Sequence, residues 1–81
     1  GVTRAFFINA LRSENILVKE QDCFVSQLDQ ASTIWFTSST KGIQPVEKIV
    51  NASYVRDNND EAFKTSRLIF NQSIKDYLSK T

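Results

Sequence analysis

The feature that most constrains the fold is the stretch Trp35–Val46, in which two apolar runs flank a short polar segment. The first run is aromatic and β-branched, and it stops at a Ser-Ser-Thr sequence that Lys41 and Gly42 follow. This pattern predicts two strands joined by a tight polar loop. Two interpretations of the loop stay open. It is either a solvated hairpin turn or an anion site, because successive N–H groups in a turn form a partly positive nest and hydroxyls add donors.

The opening Gly-Val-Thr-Arg precedes a helical pattern of apolar residues. We predict a helix over Arg4–Asn15 with Thr3 as its N-cap. The first N–H groups of a helix lack partners inside the helix and therefore attract anions. Two anion-seeking features in so short a chain predict that one phosphate group is held between the helix start and the polar loop. The Arg4 side chain is expected to turn outward or toward a neighbouring carboxylate.

Hydrophobic periodicity along the rest of the chain predicts a small mixed α/β (α+β) fold. The expected order is helix, strand, short helix, strand, strand, an optional short strand, and helix. After the opening helix, the predicted elements are a strand over Ile16–Cys23, a helix over Ser26–Ala31 capped by Ser26, strands over Thr33–Thr37, Ile43–Val50 and Tyr54–Val55, and a helix over Asp60–Leu78.

Side-chain alternation within these elements predicts the core. Trp35 and Phe36 lie on opposite faces of their strand, so at least one of them is expected to pack against the first helix. Cys23 is expected to be a small buried residue. The last helix is expected to bury one apolar stripe, formed by Phe63, Phe70, Ile74, Tyr77 and Leu78.

Composition excludes several classes of function. The 81 residues allow one small domain with a marginal core. A net charge of +1 spread over scattered charges argues against nucleic acid as a partner, and no apolar run or signal peptide indicates a membrane. With no His and one Cys, the chain cannot build a His/Cys zinc site or a His-activated nucleophile. The lone Cys favours a reducing, cytoplasmic setting.

The motifs together resemble a known family. Gly-Val-Thr-Arg, then Val-Lys-Glu, then Thr-Ser-Ser-Thr-Lys-Gly-Ile-x-Pro-Val resemble, in this order, the class IV aminotransferases. This group of pyridoxal-phosphate enzymes includes branched-chain and D-amino-acid aminotransferases and aminodeoxychorismate lyase. The resemblance runs from Gly1 to about Val50. It implies that residues 1–81 are the C-terminal part of the larger, pseudo-barrel domain. The family's Gly/Pro-containing segment before the last helix is replaced by Asp-Asn-Asn-Asp, which puts the shape of that loop in doubt.

The resemblance also implies a phosphate cup for pyridoxal 5'-phosphate. Val2 and Thr3 would hold one side of the phosphate through backbone N–H groups and the Thr3 hydroxyl. Ser38 and Ser39 would hold the other side through backbone and hydroxyl donors. Taken singly, Thr3 is more simply a helix cap and the serines a polar turn; taken together, the residues favour the cup.

The resemblance further implies where the substrate binds. The backbone N–H groups of Thr40 and Lys41 would meet the α-carboxylate of the substrate, although Lys41 alone could equally be a solvated loop charge. The Schiff-base lysine and the carboxylate that contacts the pyridine ring lie upstream in the family, and neither position exists in this chain. No catalytic residue and no metal ligand is therefore expected here, and the isolated chain is expected to be inactive.

The function implied by the resemblance is transfer of an amino group between an amino acid and a 2-oxo acid. One alternative is aminodeoxychorismate lyase, which makes 4-aminobenzoate and which Gly42 and Ile43 would also suit. Another is a non-catalytic anion-binding module. The chain starts with Gly and contains no Met, so we expect it to be a piece of a longer protein. Its expected partners are the upstream part of the same enzyme and, at full length, a second copy in a homodimer.

Overall fold

The computed structural model describes residues 2–38 and 40–80. Its elements, in chain order, are helices α1 (Val2–Ser13) and α2 (Val25–Leu28), strands β1 (Ile34–Ser38) and β2 (Gly42–Val46), and helix α3 (Glu61–Ser79). The structure is thus a small mixed α/β unit with one antiparallel two-stranded sheet, which confirms the predicted class at this level. Of the helices in the described residues, none has both the length and the apolarity to cross a membrane.

The hairpin confirms the strand–loop–strand prediction for Trp35–Val46. Strands β1 and β2 pair in a register that runs from Ile34 opposite Val46 to Ser38 opposite Gly42. Gly42 has a φ of +72°, a backbone conformation that residues with a Cβ rarely adopt. A glycine at the start of β2 therefore lets the chain reverse within three residues and resume pairing directly.

The core lies where α1, α3 and the inner face of the hairpin meet. Its buried members are Phe7, Leu11, Ile43, Phe63 and Phe70. Trp35 packs inward between Phe7 and Phe63, with ring centroids 6.3 and 5.1 Å away, whereas the side chain of Phe36 is 58% exposed. The expected division of this strand into an inner and an outer face is confirmed.

Helix α3 begins as the sequence predicts. Asp60 is its N-cap, and one carboxylate oxygen accepts from the N–H groups of Ala62 (3.1 Å) and Phe63 (3.4 Å). The other oxygen accepts from the Thr33 hydroxyl at 2.7 Å, which ties the helix start to the residue before β1. The apolar stripe is buried only in its first part. Tyr77 and Leu78 are 59% and 61% exposed, because α3 has 19 residues and continues beyond the five-residue strands.

Residues 16–23 do not form the predicted strand. Their backbone has no regular structure, and they are held against α1 by arginines instead of by a neighbouring strand. Arg12 donates to the Val18 carbonyl (3.0 Å) and to Glu20 (3.3 Å), and Arg4 pairs with the same carboxylate at 3.1 Å. Alternation alone did not make this segment a strand, because a strand forms only where a neighbouring strand pairs with it. The expected pairing of Arg4 with a carboxylate is confirmed.

Three predicted boundaries and caps are also wrong. Helix α1 starts at Val2, so Thr3 lies inside its first turn and is not the N-cap. The short helix starts at Val25, where the side chain of Gln27 accepts from the Phe24 N–H at 2.7 Å and replaces the expected Ser26 cap. The return strand ends at Val46. Cys23, expected in the core, is exposed.

Tyr54 closes the open end of the hairpin, which the sequence did not predict. Its side chain is 1% exposed; the hydroxyl donates to the Val46 carbonyl (2.6 Å) and accepts from the Ile34 N–H (2.9 Å). One hydroxyl thus bridges the two residues that form the last pair of the sheet. The segment predicted as a short strand forms a single bridge, between Lys48 and Val55.

Replacing Tyr54 by Phe is expected to lower the free energy of unfolding by about 1–3 kcal/mol, because the partly buried Ile34 N–H and Val46 carbonyl lose their partner. Urea denaturation measures this change. Tyr77→Phe is the matched control, since that side chain is mostly exposed and should change stability by less than about 0.5 kcal/mol. Equal stability of the two variants would contradict the structural role given to the Tyr54 hydroxyl.

Candidate functional site

A cleft of about 680 Å³ opens where the first turn of α1, the hairpin turn and the C-terminal half of α3 come together. Each of the three elements contributes polar groups, and α1 and α3 also contribute apolar ones. The lining residues are Val2, Thr3 and Phe6 from α1, Ser38, Thr40, Lys41 and Gly42 from the hairpin, and Phe70, Asn71, Ile74, Lys75 and Tyr77 from α3.

Helix α1 brings its first turn to the cleft. Val2 and Thr3, predicted as phosphate-binding residues, both line it. The N–H groups of a first turn have no acceptor four residues earlier, and the positive end of the helix dipole lies there. The first turn of α1 contains no acidic residue that would neutralise this field. This wall of the cleft therefore favours a negatively charged group.

The hairpin turn directs its own donors onto a single oxygen. The Ser38 hydroxyl oxygen accepts from the backbone N–H groups of Lys41 (3.2 Å) and Thr40 (3.3 Å), and it lies 3.2 Å from the Thr40 hydroxyl. Gln44 holds the turn from the other side by donating to the Lys41 carbonyl at 2.8 Å. Thr40 and Lys41, predicted to meet a carboxylate, thus already bind an oxygen acceptor. Ser39, predicted as a phosphate ligand, lies outside the described residues.

This geometry sets a condition on ligand binding at the turn. While the Ser38 oxygen accepts two N–H groups, its own proton is available for a ligand or for the Thr40 hydroxyl. An anion that took the N–H groups of Thr40 and Lys41 directly would have to displace the Ser38 side chain. Ser38 can therefore either donate its hydroxyl proton to a ligand or rotate and expose the two N–H groups.

Helix α3 supplies the part of the cleft that sequence reasoning missed. The rings of Phe70 and Tyr77 meet Phe6 edge-on, with centroids 6.3 and 6.1 Å apart, and Ile74 extends this apolar wall. Asn71 and Lys75 add polar groups beside it. The sequence of the last helix was interpreted only in terms of packing. It contained one indication of this second role, because Asn71 and Lys75 are spaced four residues apart along one helix face.

The charge of the cleft is one-sided. Among the described residues that line it, two are lysines and none is acidic. Its hydroxyl donors come from Thr3, Ser38, Thr40 and Tyr77. Since the whole chain carries a net charge of only +1, this local excess results from how the fold groups the charges. The cleft can bind an anion that also has an apolar surface.

A comparison with protein families matches residues 1–49 to the family described as amino-transferase class IV. The matched stretch contains α1, α2 and the hairpin, and it ends before α3. Two walls of the cleft therefore lie inside the matched stretch and the third lies outside it. No significant match is found among curated proteins or among solved structures.

Replacing Ser38 by Ala is expected to speed amide hydrogen exchange at Thr40 and Lys41 several-fold, because both N–H groups lose their acceptor. Exchange measured residue by residue by NMR tests this. Ser53→Ala is the control: among the described contacts, Ser53 uses only its backbone N–H, which binds Asp29. Unchanged exchange at both amides in the Ser38 variant would show that the hydroxyl does not organise the turn.

Proposed function

Because the chain belongs to the class IV aminotransferase family, as its resemblance predicted, we propose that the cleft binds the phosphate of pyridoxal 5'-phosphate. The protein then takes part in transfer of an amino group between an amino acid and a 2-oxo acid. The observation that carries the proposal is the meeting of two donor groups on one cleft. These are the first turn of α1 and the hairpin turn, which are more than 30 residues apart in the chain.

The residues of the cleft fit a phosphate. Val2 and Thr3 bind it through first-turn N–H groups and the Thr3 hydroxyl, and Ser38 binds it from the hairpin; the family resemblance adds Ser39, which lies outside the described residues. Hydrogen bonds to a charged acceptor contribute about 1.5–3 kcal/mol each, so a few of them suffice for a stable site. The apolar wall around Phe6 and Phe70 suits the body of a phosphate ester better than a free inorganic ion.

The same proposal assigns the substrate carboxylate to the N–H groups of Thr40 and Lys41. In the structure the Ser38 oxygen accepts from both groups, so this assignment requires the serine side chain to rotate. Such a rotation would expose the two N–H groups to the carboxylate and turn the serine hydroxyl toward the phosphate. Pyridoxal phosphate itself supplies the electron sink for amino-group chemistry. We assign no covalent step to a residue of this chain.

Several further expectations belong to the proposal. The described unit is part of a larger pseudo-barrel domain. The upstream part of the same enzyme provides the Schiff-base lysine and the carboxylate for the pyridine ring. The full-length enzyme is a cytoplasmic homodimer, and the 81-residue chain alone binds without turnover.

Binding of pyridoxamine 5'-phosphate against pyridoxamine tests the phosphate site, because neither compound has an aldehyde that would react with surface lysines. We expect calorimetry to show at least about tenfold tighter binding of the phosphorylated compound. Thr3→Val is expected to weaken that binding about three- to tenfold, and Thr65→Val, an exposed threonine of α3, should leave it unchanged. Equal affinity for the two compounds would contradict the proposal.

The reaction is tested separately, on the full-length protein. We expect exchange of the amino group between glutamate and a 2-oxo acid in the presence of pyridoxal phosphate. Formation of 4-aminobenzoate without such exchange would instead assign the protein to the aminodeoxychorismate lyases. Tight cofactor binding with neither reaction would leave a non-catalytic anion-binding module.

A further inference from the structure

Lys75 lines the cleft, and neither the sequence analysis nor the family match assigns it a role. It belongs to α3, outside the matched residues 1–49. Asn71 lies one turn earlier on the same helix and also lines the cleft. The side-chain oxygen of Asn71 is 3.9 Å from the position that a Cβ on Gly42 would take. This face of α3 is therefore directly beside the end of the hairpin turn.

The helix that carries Lys75 is held firmly against the other two walls. Phe70 is 3% exposed and contacts Phe7 of α1 edge-on at 5.3 Å. Two turns later, Tyr77 meets Phe6 edge-on at 6.1 Å. Lys75 lies between these two aromatic contacts, so its backbone position relative to the first turn of α1 is fixed. Its own side chain is exposed and long enough to adjust to a ligand.

The charge of Lys75 is not neutralised within the described part of the chain. No carboxylate there forms an ion pair with Lys75 or Lys41. The acidic neighbour Asp76 accepts from Gln72 at 3.0 Å. By contrast, Lys64 on the same helix pairs with Glu61 at 3.5 Å. The two cleft lysines therefore present net positive charge beside the donor groups of α1 and the hairpin.

We infer that Lys75 is a binding residue for the phosphate group of the cleft's ligand. It acts from α3, opposite the hairpin that carries Lys41. The ligand class is a phosphate monoester with an apolar, aromatic body, because charge and donors lie beside a wall built from Phe6, Phe70 and Ile74. The identification of the body as a pyridoxal derivative rests on the proposed function. The pairing of the phosphate with Lys75 does not depend on it.

Two probes separate these statements: pyridoxamine 5'-phosphate, and phenyl phosphate as a phosphate monoester without the pyridoxal ring. Each is titrated against wild type, Lys75→Gln, Lys75→Arg and the control Lys64→Gln, with circular dichroism as a check on folding. We expect Lys75→Gln to weaken both probes about three- to tenfold at low ionic strength. The arginine variant should stay within about twofold of wild type, Lys64→Gln should match wild type, and the loss should shrink in high salt.

Every outcome decides one statement or both. Equal binding of the probes by wild type and Lys75→Gln overturns the role of Lys75 and leaves the proposed function standing. Weakened phenyl phosphate binding, with no preference for the pyridoxamine compound, supports Lys75 and contradicts the proposed function. If Lys64→Gln weakens binding as much as Lys75→Gln, the effect is one of general charge and the inference is wrong. If wild type binds neither probe, both statements are wrong.

Discussion

The packing of Phe70 is the interaction on which the rest of the structure depends. Its ring meets Phe7 edge-on at 5.3 Å and Phe6 at 6.3 Å, and a ring carbon lies 3.4 Å from where a Cβ on Gly42 would be. One side chain of α3 thus touches α1 and the start of β2 together. Because these are the three elements that enclose the cleft, the core contact and the site share the same residue.

Side-chain hydroxyl groups supply hydrogen bonds that the backbone of so short a hairpin does not make by itself. A two-stranded sheet is marginal in water unless something covers it. Here the Ser38 oxygen binds the N–H groups of the turn, and the Tyr54 hydroxyl bridges Ile34 and Val46 at the open end. The helices then cover one face. Both ends of the hairpin are therefore fixed by side chains, and the turn is held in a shape in which backbone N–H donors lie close together.

The cleft shows how a chain with almost no net charge can build a site whose charged side chains, among the described residues, are all positive. Acidic residues lie elsewhere on the described surface, where they pair with arginines and lysines such as Arg12, Arg56 and Lys64. Such exposed pairs contribute little to stability. None of these carboxylates belongs to a described residue that lines the cleft, so the positive charge of its two lysines is not offset there.

The sequence by itself determined the elements whose signals are local: the two long helices, the polar turn between two strands, and the division of β1 into an inner and an outer face. It also determined the family, because the residues of the resemblance follow one another in order. Only the tertiary structure decided what depends on distant partners. Residues 16–23 became an irregular segment held by arginines, Tyr54 became a buried bridge, and α3 became a wall of the cleft. Periodicity reports which face of an element is apolar, but not which distant residue meets it.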